Sequence, residues 1–265
     1  MYETSYHRPT SLSEAEALMG ADVDAKFLAG GQTLLPTMKQ RLAAPSALID
    51  LRHLPELKGI SVEGDTLVIG AATPHAAVQT SAEVKRTIPA IAKLAGLTGD
   101  PHVRHLGTIG GSVANNDPAA DYPSAVLGLG ATIHTNRRTI AAEDYFQGMF
   151  TTALEDGEII VKIAFPIPLA ANYEKFRHPA SRYAMAGAFV AKTTGGVRVA
   201  VTGAAQGGVF RATAFEDALG ADFRPEALDG LSVDADDMLS DIHGDSAYRA
   251  NLVKVMVKRS VAGLL

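Results

Sequence analysis

Apolar and polar positions along the first part of the chain alternate between helical and extended spacing. Ser11 and Glu14 form a capping box, and apolar residues three to four positions apart follow them, which predicts a short helix. Short apolar runs bounded by turn residues predict strands. The predicted strands are residues 26–29, 47–50, 66–72, 131–135 and 158–165, and the predicted helices are residues 12–19, 34–41, 74–81, 88–97 and 123–129. Helix and strand therefore alternate, as in α/β units.

A Pro-Ile-Pro sequence at residues 166–168 is the clearest predicted boundary in the chain. After it come extended runs, two of them joined by a Gly195-Gly196 hairpin turn, and then helices. The extended runs are residues 173–177, 188–194 and 197–204, and the helices are residues 213–219 and 246–262. We therefore predict an α+β protein. At this boundary the chain divides into residues 1–168, in which helices and strands alternate, and residues 169–265, which contain the paired extended runs and the helices after them.

Two glycine pairs, Gly30-Gly31 and Gly110-Gly111, occur in similar surroundings, after apolar residues and before small polar ones. Glycine allows positive φ and a close approach to a ligand, and consecutive N–H groups in such a turn suit phosphate oxygens. One pair alone is typical of an ordinary turn, whereas two in matching settings predict loops that hold a dinucleotide diphosphate from both sides. The Rossmann and P-loop patterns are absent, so we expect a different fold to hold it.

Composition and charge narrow the class of protein. The chain is 47% hydrophobic and 20% charged, which is typical of a globular protein. A net charge of −5 gives no basic surface for nucleic acid, and no run reaches the roughly 18–20 apolar residues of a membrane span. The absence of cysteine excludes disulfides, cysteine nucleophiles and thiolate-held iron–sulfur clusters in this chain. Any redox group must then be an organic cofactor.

Polar side chains near the glycine pairs are candidates for ligand contact. Hydroxyl and amide groups there can donate to phosphate or to a ring carbonyl; they are Gln32, Thr33, Ser112, Asn115 and Asn116. Asp121 has two interpretations of equal weight, as an anion at a helix N-terminus or as an acceptor for ribose or ribityl hydroxyls. His102 and His105 have no further ligand nearby and are interpreted as polar loop residues rather than a metal site.

Residues 176–183, just past the predicted boundary, concentrate aromatic and cationic side chains. A solvated strand end explains them, and so does a ring-stacking aromatic with arginines that face phosphate. No hydrolase pattern such as G-x-S-x-G occurs in the chain.

Five segments of the chain carry a family resemblance that extends over nearly its whole length. They are residues 29–36, 103–112, 116–121, 176–184 and 246–250. In this order they resemble the FAD-binding medium subunit of the molybdenum hydroxylases, the family that includes carbon monoxide dehydrogenase and xanthine dehydrogenase. The resemblance implies a flavoprotein fold of the vanillyl-alcohol-oxidase (PCMH) type. In it, residues 1–168 would bind FAD between two α/β subdomains, of about residues 1–55 and 56–168. Residues 169–265 would form the C-terminal flavoprotein domain, with a small antiparallel sheet and helices.

The resemblance also assigns cofactor-binding roles by position. The residues that would wrap the FAD diphosphate are Leu28, Ala29, Gly30, Gly31, Gln32, Thr33, Leu34 and Leu35. Those of a second loop are Thr108, Gly111, Ser112, Ala114 and Asn115. Asp121 would bind a sugar-chain hydroxyl, Ile159 and Ile160 would line the adenine or ring region, and Lys175 or Arg177 would lie near the cofactor. It assigns no catalytic residue and no metal ligand to this chain.

In such enzymes a large subunit oxidises the substrate at a molybdenum cofactor, and a small subunit carries two 2Fe–2S clusters. The resemblance therefore implies a dimer of heterotrimers in which this FAD passes electrons to an external acceptor. We expect a cytoplasmic location, possible attachment to the inner membrane face through partners, and no signal peptide. The alternatives are a self-sufficient FAD oxidoreductase with its own substrate site and a non-catalytic assembly subunit.

Overall fold

The computed structural model describes all 265 residues and shows an α+β fold with three larger sheets. The helices are α1 (Leu12–Ala21), α2 (Leu34–Lys39), α3 (His75–Thr80), α4 (Ala82–Thr87), α5 (Pro89–Leu97), α6 (Pro101–Leu106), α7 (Ile109–Asn115), α8 (Tyr122–Gly128), α9 (Ala142–Tyr145), α10 (Thr213–Ala221) and α11 (Ser246–Ala262). The strands are β1 (Ser5–His7), β2 (Lys26–Leu28), β3 (Ala47–Asp50), β4 (Ile60–Glu63), β5 (Thr66–Gly70), β6 (Thr132–Thr135), β7 (Thr139–Ala141), β8 (Phe146–Gly148), β9 (Thr151–Thr152), β10 (Ile160–Pro166), β11 (Ala170–Arg177), β12 (Ala184–Thr193), β13 (Gly196–Thr202) and β14 (Phe210–Arg211). None of the helices is long and apolar enough to cross a membrane.

The N-terminal sheet is parallel, with strand order β1-β3-β2. Helix α1 packs against it and begins as predicted, because the Ser11 side chain accepts the N–H of Glu14. Ala15 of this helix and Ile49 of β3 are fully buried and form part of one apolar cluster. Strand β2 runs directly into the first glycine pair, so this sheet fixes where that pair lies.

The central sheet is antiparallel, with strand order β4-β5-β10-β6-β7. Helix α7 packs on β5 and β10, and the largest apolar cluster of the molecule joins the sheet to helices α3 to α5, α7 and α8. Ile69, Ile109 and Ile163 are fully buried in this cluster. A small antiparallel hairpin of β8 and β9 follows. The central core therefore fixes α7, which carries the second glycine pair.

The C-terminal sheet is antiparallel, with strand order β11-β12-β13-β14. The predicted hairpin is confirmed, but its turn lies one residue earlier than expected, at Thr194-Gly195, because Gly196, with a φ of +120°, already pairs with Thr193. Helix α11 packs across β11 and β12, and α10 packs on β13. Val190, Val201 and Val257 are fully buried between these layers.

The structure differs from the sequence predictions mainly in short elements. The unpredicted β1, β4, α4, α6, β7, α9, β8, β9 and β14 have six residues or fewer, too few to give a periodic signal. His102 and His105, predicted as loop residues, lie in α6, and no group of side chains suited to a metal ion occurs in the molecule. The division into domains at residue 168 stays a prediction.

Candidate functional site

A cleft of about 920 Å³ lies where the N-terminal sheet, the central helices and the C-terminal sheet meet. Its lining comes from the segment after β2, from α6 and α7, from the start of β10 and from the connection between β11 and β12. Ligand pockets in proteins measure roughly 300–1,000 Å³, so this cleft has room for a large ligand.

The first glycine segment, residues 29–34, connects β2 to α2 along this cleft. Gly31 has a φ of 71°, which favours glycine. Gly30 is in close contact with backbone, because an added Cβ would lie 2.3 Å from the carbonyl oxygen of Leu106. None of the six consecutive N–H groups of the segment donates to an acceptor within the chain. Buried or half-buried donors normally find a partner, so the segment offers a row of donors to an anionic ligand.

The second glycine segment, residues 109–112, corrects the sequence prediction of a loop. It forms the first turn of α7, and neither glycine has a positive φ. All four of its N–H groups donate within the chain, to the carbonyls of Thr73 and Ala71 and to the hydroxyl and carbonyl of Thr108. Its glycines serve close packing, since an added Cβ at Gly110 would lie 2.5 Å from that of Ala71.

The two glycine segments face each other across a narrow gap. An added Cβ at Gly111 would lie 3.1 Å from the Cβ of Ala29 and 3.9 Å from the backbone nitrogen of Gly30. A larger side chain at residue 111 would therefore extend toward the free N–H groups. The two glycine segments thus lie close together, as the prediction of a diphosphate held from both sides requires, but only the first segment has free N–H groups.

Asp121 also lines the cleft, is 4% exposed, and has its carboxylate engaged by the chain itself. Its Oδ1 accepts the Tyr173 hydroxyl at 2.5 Å, and its Oδ2 accepts Lys175 Nζ at 2.8 Å and the more distant Thr98 hydroxyl. Burial raises the pKa of Asp121, and the Lys175 ammonium and the Tyr173 hydroxyl oppose that shift. Asp121 immediately precedes α8 and makes no side-chain cap bond, so it lies at the helix N-terminus without capping it, and its contact with a cofactor hydroxyl stays a prediction.

His75 lines the cleft next to Gly107, which precedes the second glycine segment, and is 4% exposed. Its backbone N–H donates to the carbonyl of Gly107, and its ring lies 5.2 Å from that of Tyr122. Burial, together with the charge of Arg104, lowers the pKa of His75 to about 4. The imidazole is therefore neutral at pH 7, and its Nδ1 makes no hydrogen bond.

The connection between β11 and β12 closes the cleft on the C-terminal side through residues 180–183. His178 shapes it, because its Nδ1 accepts the N–H groups of Ala180 and Ser181 at 3.2 and 3.1 Å. Arg182 and Tyr183, from the predicted aromatic and cationic cluster, line the cleft and are exposed. The cluster therefore lies at the site.

All but three of the predicted site residues line this cleft. The exceptions are Leu35, whose side chain packs against Gly31; Arg177, which is exposed at the end of β11; and Asn116, whose side-chain amide donates to the carbonyls of Gly148 and Thr151. No sequence pattern predicted His75, Ala71 or Phe150, which also line the cleft. A lone histidine, alanine or phenylalanine carries no motif, so no sequence signal was available for them.

The arrangement fits a dinucleotide cofactor. The free N–H groups of the first glycine segment suit a diphosphate, and the close backbone contacts at Gly30 and Gly110 leave no space for side chains there. Apolar Leu51, Leu57 and Ile159 line one part of the cleft, and Asp121 and Lys175 line another. A long ligand with a charged centre and flat rings matches these features.

The family model for the FAD binding domain in molybdopterin dehydrogenase matches residues 2–168. The carbon monoxide dehydrogenase medium chain of Afipia carboxidovorans is 37% identical over 97% of this chain and 94% of its own length. The nicotine 6-hydroxylase medium subunit of Paenarthrobacter nicotinovorans is 35% identical over 97% of this chain and 95% of its own length. The structure of reconstituted carbon monoxide dehydrogenase from Oligotropha carboxidovorans superposes with a TM-score of 0.91 at 35% identity, covering 98% of this chain and 97% of that one.

Fold and cleft thus define a flavoprotein of the oxidoreductase class. The chain belongs to the family of FAD-binding subunits of molybdopterin dehydrogenases, and its cofactor is FAD. The expected α+β fold and the expected family are confirmed.

Proposed function

We propose that this chain is the electron-transferring medium subunit of a molybdenum hydroxylase complex. It takes electrons from two 2Fe–2S clusters on a small partner subunit and passes them through FAD to an external acceptor. A large partner subunit with the molybdenum cofactor oxidises the substrate. The complex is a dimer of heterotrimers in the cytoplasm.

The first glycine segment is the part of the site that would hold the FAD diphosphate, through N–H groups that have no other acceptor. When bound, FAD supplies the capacity to exchange electrons singly or in pairs. Lys175 places a buried positive charge beside the cleft, and Asp121 holds that ammonium in place. The remaining predicted residues of the lining shape the walls.

The observation that carries the proposed role is that every carboxylate that lines the cleft is engaged within the chain, so none is free for acid–base work on a substrate; Asp121 accepts Tyr173 and Lys175. Glu158 accepts Arg138, which lowers its pKa to about 2, and Asp117 accepts the N–H of Ala119. Asp100 accepts the N–H of Val103, and His75 is buried and neutral. These groups support a role in binding and electron relay rather than in substrate chemistry.

Two further observations support the proposal that the iron–sulfur clusters and the substrate site lie on partner subunits. The chain has no cysteine and no group of side chains suited to a metal ion, so the clusters would belong to a partner. Relatives of similar identity are named for carbon monoxide dehydrogenase and for nicotine 6-hydroxylase. The same type of medium chain thus accompanies different substrates, which supports substrate selection on another subunit.

The test is to purify the chain alone, saturate it with FAD and compare it with the complex formed with its partner subunits. We expect a flavin spectrum with one FAD per chain, and substrate-dependent reduction of the flavin only after the partners are added. Oxidation of substrate by the isolated chain would contradict the proposal and favour the self-sufficient oxidoreductase.

The proposed site is tested by Gly111→Val, which extends a side chain from the second segment toward Ala29 and the free N–H groups. We expect loss of FAD retention with an unchanged far-UV circular dichroism spectrum. Gly220→Val in α10 is the matched control, since nothing lies within 4 Å of its added Cβ. Normal flavin stoichiometry in Gly111→Val would refute the site.

A further inference from the structure

The connection between β8 and β9 contains an exposed aromatic residue, Phe150, to which the proposed function assigns no role. Phe150 lines the cleft, yet 56% of its surface is exposed. Its φ of 54° lies in the left-handed region, which bulky residues rarely adopt. Neither burial nor backbone preference stabilises a phenylalanine there. Strained residues that persist beside a ligand cleft point to a functional role.

Buried Asn116 holds this connection in place. Its Nδ2 donates to the carbonyls of Gly148 and Thr151, on either side of residues 149 and 150, at 2.8 and 2.9 Å. The backbone carbonyl of Asn116 accepts the N–H of Phe150 at 3.1 Å. Asn116 itself ends α7, with a φ of 43°. The helix that carries the second glycine segment therefore also fixes Phe150 at the cleft.

We propose that Phe150 stacks on a planar ring of bound FAD, and that Asn116 is the positioning residue that holds it there. Leu154, Ile159 and Ile160, which follow Phe150 in the chain, also line the cleft and are apolar, and an aromatic face in a cleft with such side chains binds a flat heteroaromatic ring. Adenine and isoalloxazine share this chemistry. The inference rests on the proposed site and adds to it a residue that no sequence pattern marks.

Titration of the apoprotein with FAD, followed by flavin fluorescence, tests the stacking. Base–aromatic stacking predicts that Phe150→Ala weakens FAD binding by about 5- to 150-fold. Phe150→Trp, which retains an aromatic face, restores the affinity. Met149→Ala is the control, since Met149 is the exposed neighbour of Phe150 and does not line the cleft, and it leaves the affinity unchanged.

A double-mutant cycle tests the positioning role of Asn116. Asn116→Asp replaces the Nδ2 donor with an oxygen that faces two carbonyl oxygens, so it releases the connection. Because Asn116 acts through Phe150, the double variant should bind FAD no more weakly than the weaker single variant. Additive losses would show that Asn116 supports the site by another route and would overturn its role.

Fragments of the cofactor distinguish the two rings. Stacking on adenine predicts that Phe150→Ala weakens competition by ADP, whereas stacking on isoalloxazine predicts weaker binding of FMN and a changed visible circular dichroism spectrum of the flavin. Unchanged binding of FAD, ADP and FMN by Phe150→Ala would overturn the inference. If Gly111→Val still loses FAD in that case, the proposed site stands; if it also retains FAD, the proposed site fails as well.

Discussion

The two glycine segments have nearly the same sequence pattern and opposite backbone roles. Residues 29–34 leave all six of their N–H groups without an acceptor, and Gly31 has a positive φ. Residues 109–112 donate all four of their N–H groups within the chain, and their glycines allow a helix to pack on Ala71. The first segment thus has free N–H groups that can bind a ligand, whereas the glycines of the second segment allow α7 to pack close enough to face the first.

The difference in backbone hydrogen bonding follows from the residues on either side of each glycine pair. Strand β2 ends at Leu28 and leaves the next residues outside any sheet or helix until α2 begins at Leu34. At the second pair, Thr108 accepts the N–H of Gly111 through its hydroxyl and so begins a helix. Thr33 occupies the equivalent position before α2 but makes no side-chain cap bond. The same sequence pattern therefore produces a donor row in one place and a packed helix in the other.

Loss of Asp121, which follows the second glycine segment in the chain, should lower the free energy of unfolding more than the other substitutions below. Asp121→Ala leaves the Lys175 ammonium, 1% exposed, without its carboxylate. Removal of one partner of a buried pair costs about 3–5 kcal/mol, so the free energy of unfolding of the apoprotein should fall by that amount. Urea denaturation measures it, and the double variant Asp121→Ala/Lys175→Met should recover most of the loss. Failure of the double variant to recover stability would show that Asp121 does not act through Lys175.

Contact between the two sides of the cleft is tested by Gly30→Ala. The added Cβ would lie 2.3 Å from the Leu106 carbonyl oxygen and 2.5 Å from the Gly107 Cα, which forces the backbones apart. Overpacking of this kind costs about 1–3 kcal/mol, and the shift should also lower FAD affinity. Gly20→Ala in α1, where nothing lies within 4 Å, should be neutral or stabilising. Equal stability of the two variants would contradict the close approach.

The free energy of unfolding should depend on pH through His75, which lies next to Gly107, just before the second glycine segment. Its pKa of about 4 lies below the ordinary value of 6.5, so the unfolded chain takes up a proton at a higher pH than the folded one. The stability it contributes is present above pH 6.5 and is lost as pH falls toward 4, by about 1.3 kcal/mol between pH 7.5 and 5.5. His75→Gln should remove this part of the pH dependence, as thermal unfolding at each pH would show. An unchanged profile would mean that His75 is not the group responsible.

The smallest change in stability should distinguish the start of α7, at Thr108, from the start of α2, at Thr33. Thr108→Val removes the hydroxyl that accepts the N–H of Gly111 at 3.1 Å, and loss of such a cap costs about 1 kcal/mol. Thr33→Val removes no cap bond and should leave the stability of the apoprotein unchanged. Paired denaturation curves check this difference, and equal losses would contradict the contrast between the segments.

The sequence predicted most of the longer elements because their apolar spacing is set locally, as in α5, α11 and the hairpin at Gly196. It also predicted most of the cleft lining, since the glycine pairs and their neighbours carry the resemblance. It failed for the conformation of Gly110-Gly111, because a Gly-Gly pattern does not show whether its N–H groups find acceptors; here those are Thr73, Ala71 and Thr108. His75 and Phe150 reach the cleft only through tertiary packing, which no local pattern records.

Backbone amide hydrogen exchange, followed residue by residue with and without FAD, separates the two glycine segments. We predict that exchange at residues 29–34 is fast in the apoprotein and slows strongly when FAD binds. Residues 109–112 should already be protected without cofactor and change little. The opposite result, with new protection at residues 109–112 and none at residues 29–34, would contradict the assignment of the first glycine segment as the donor row of the site.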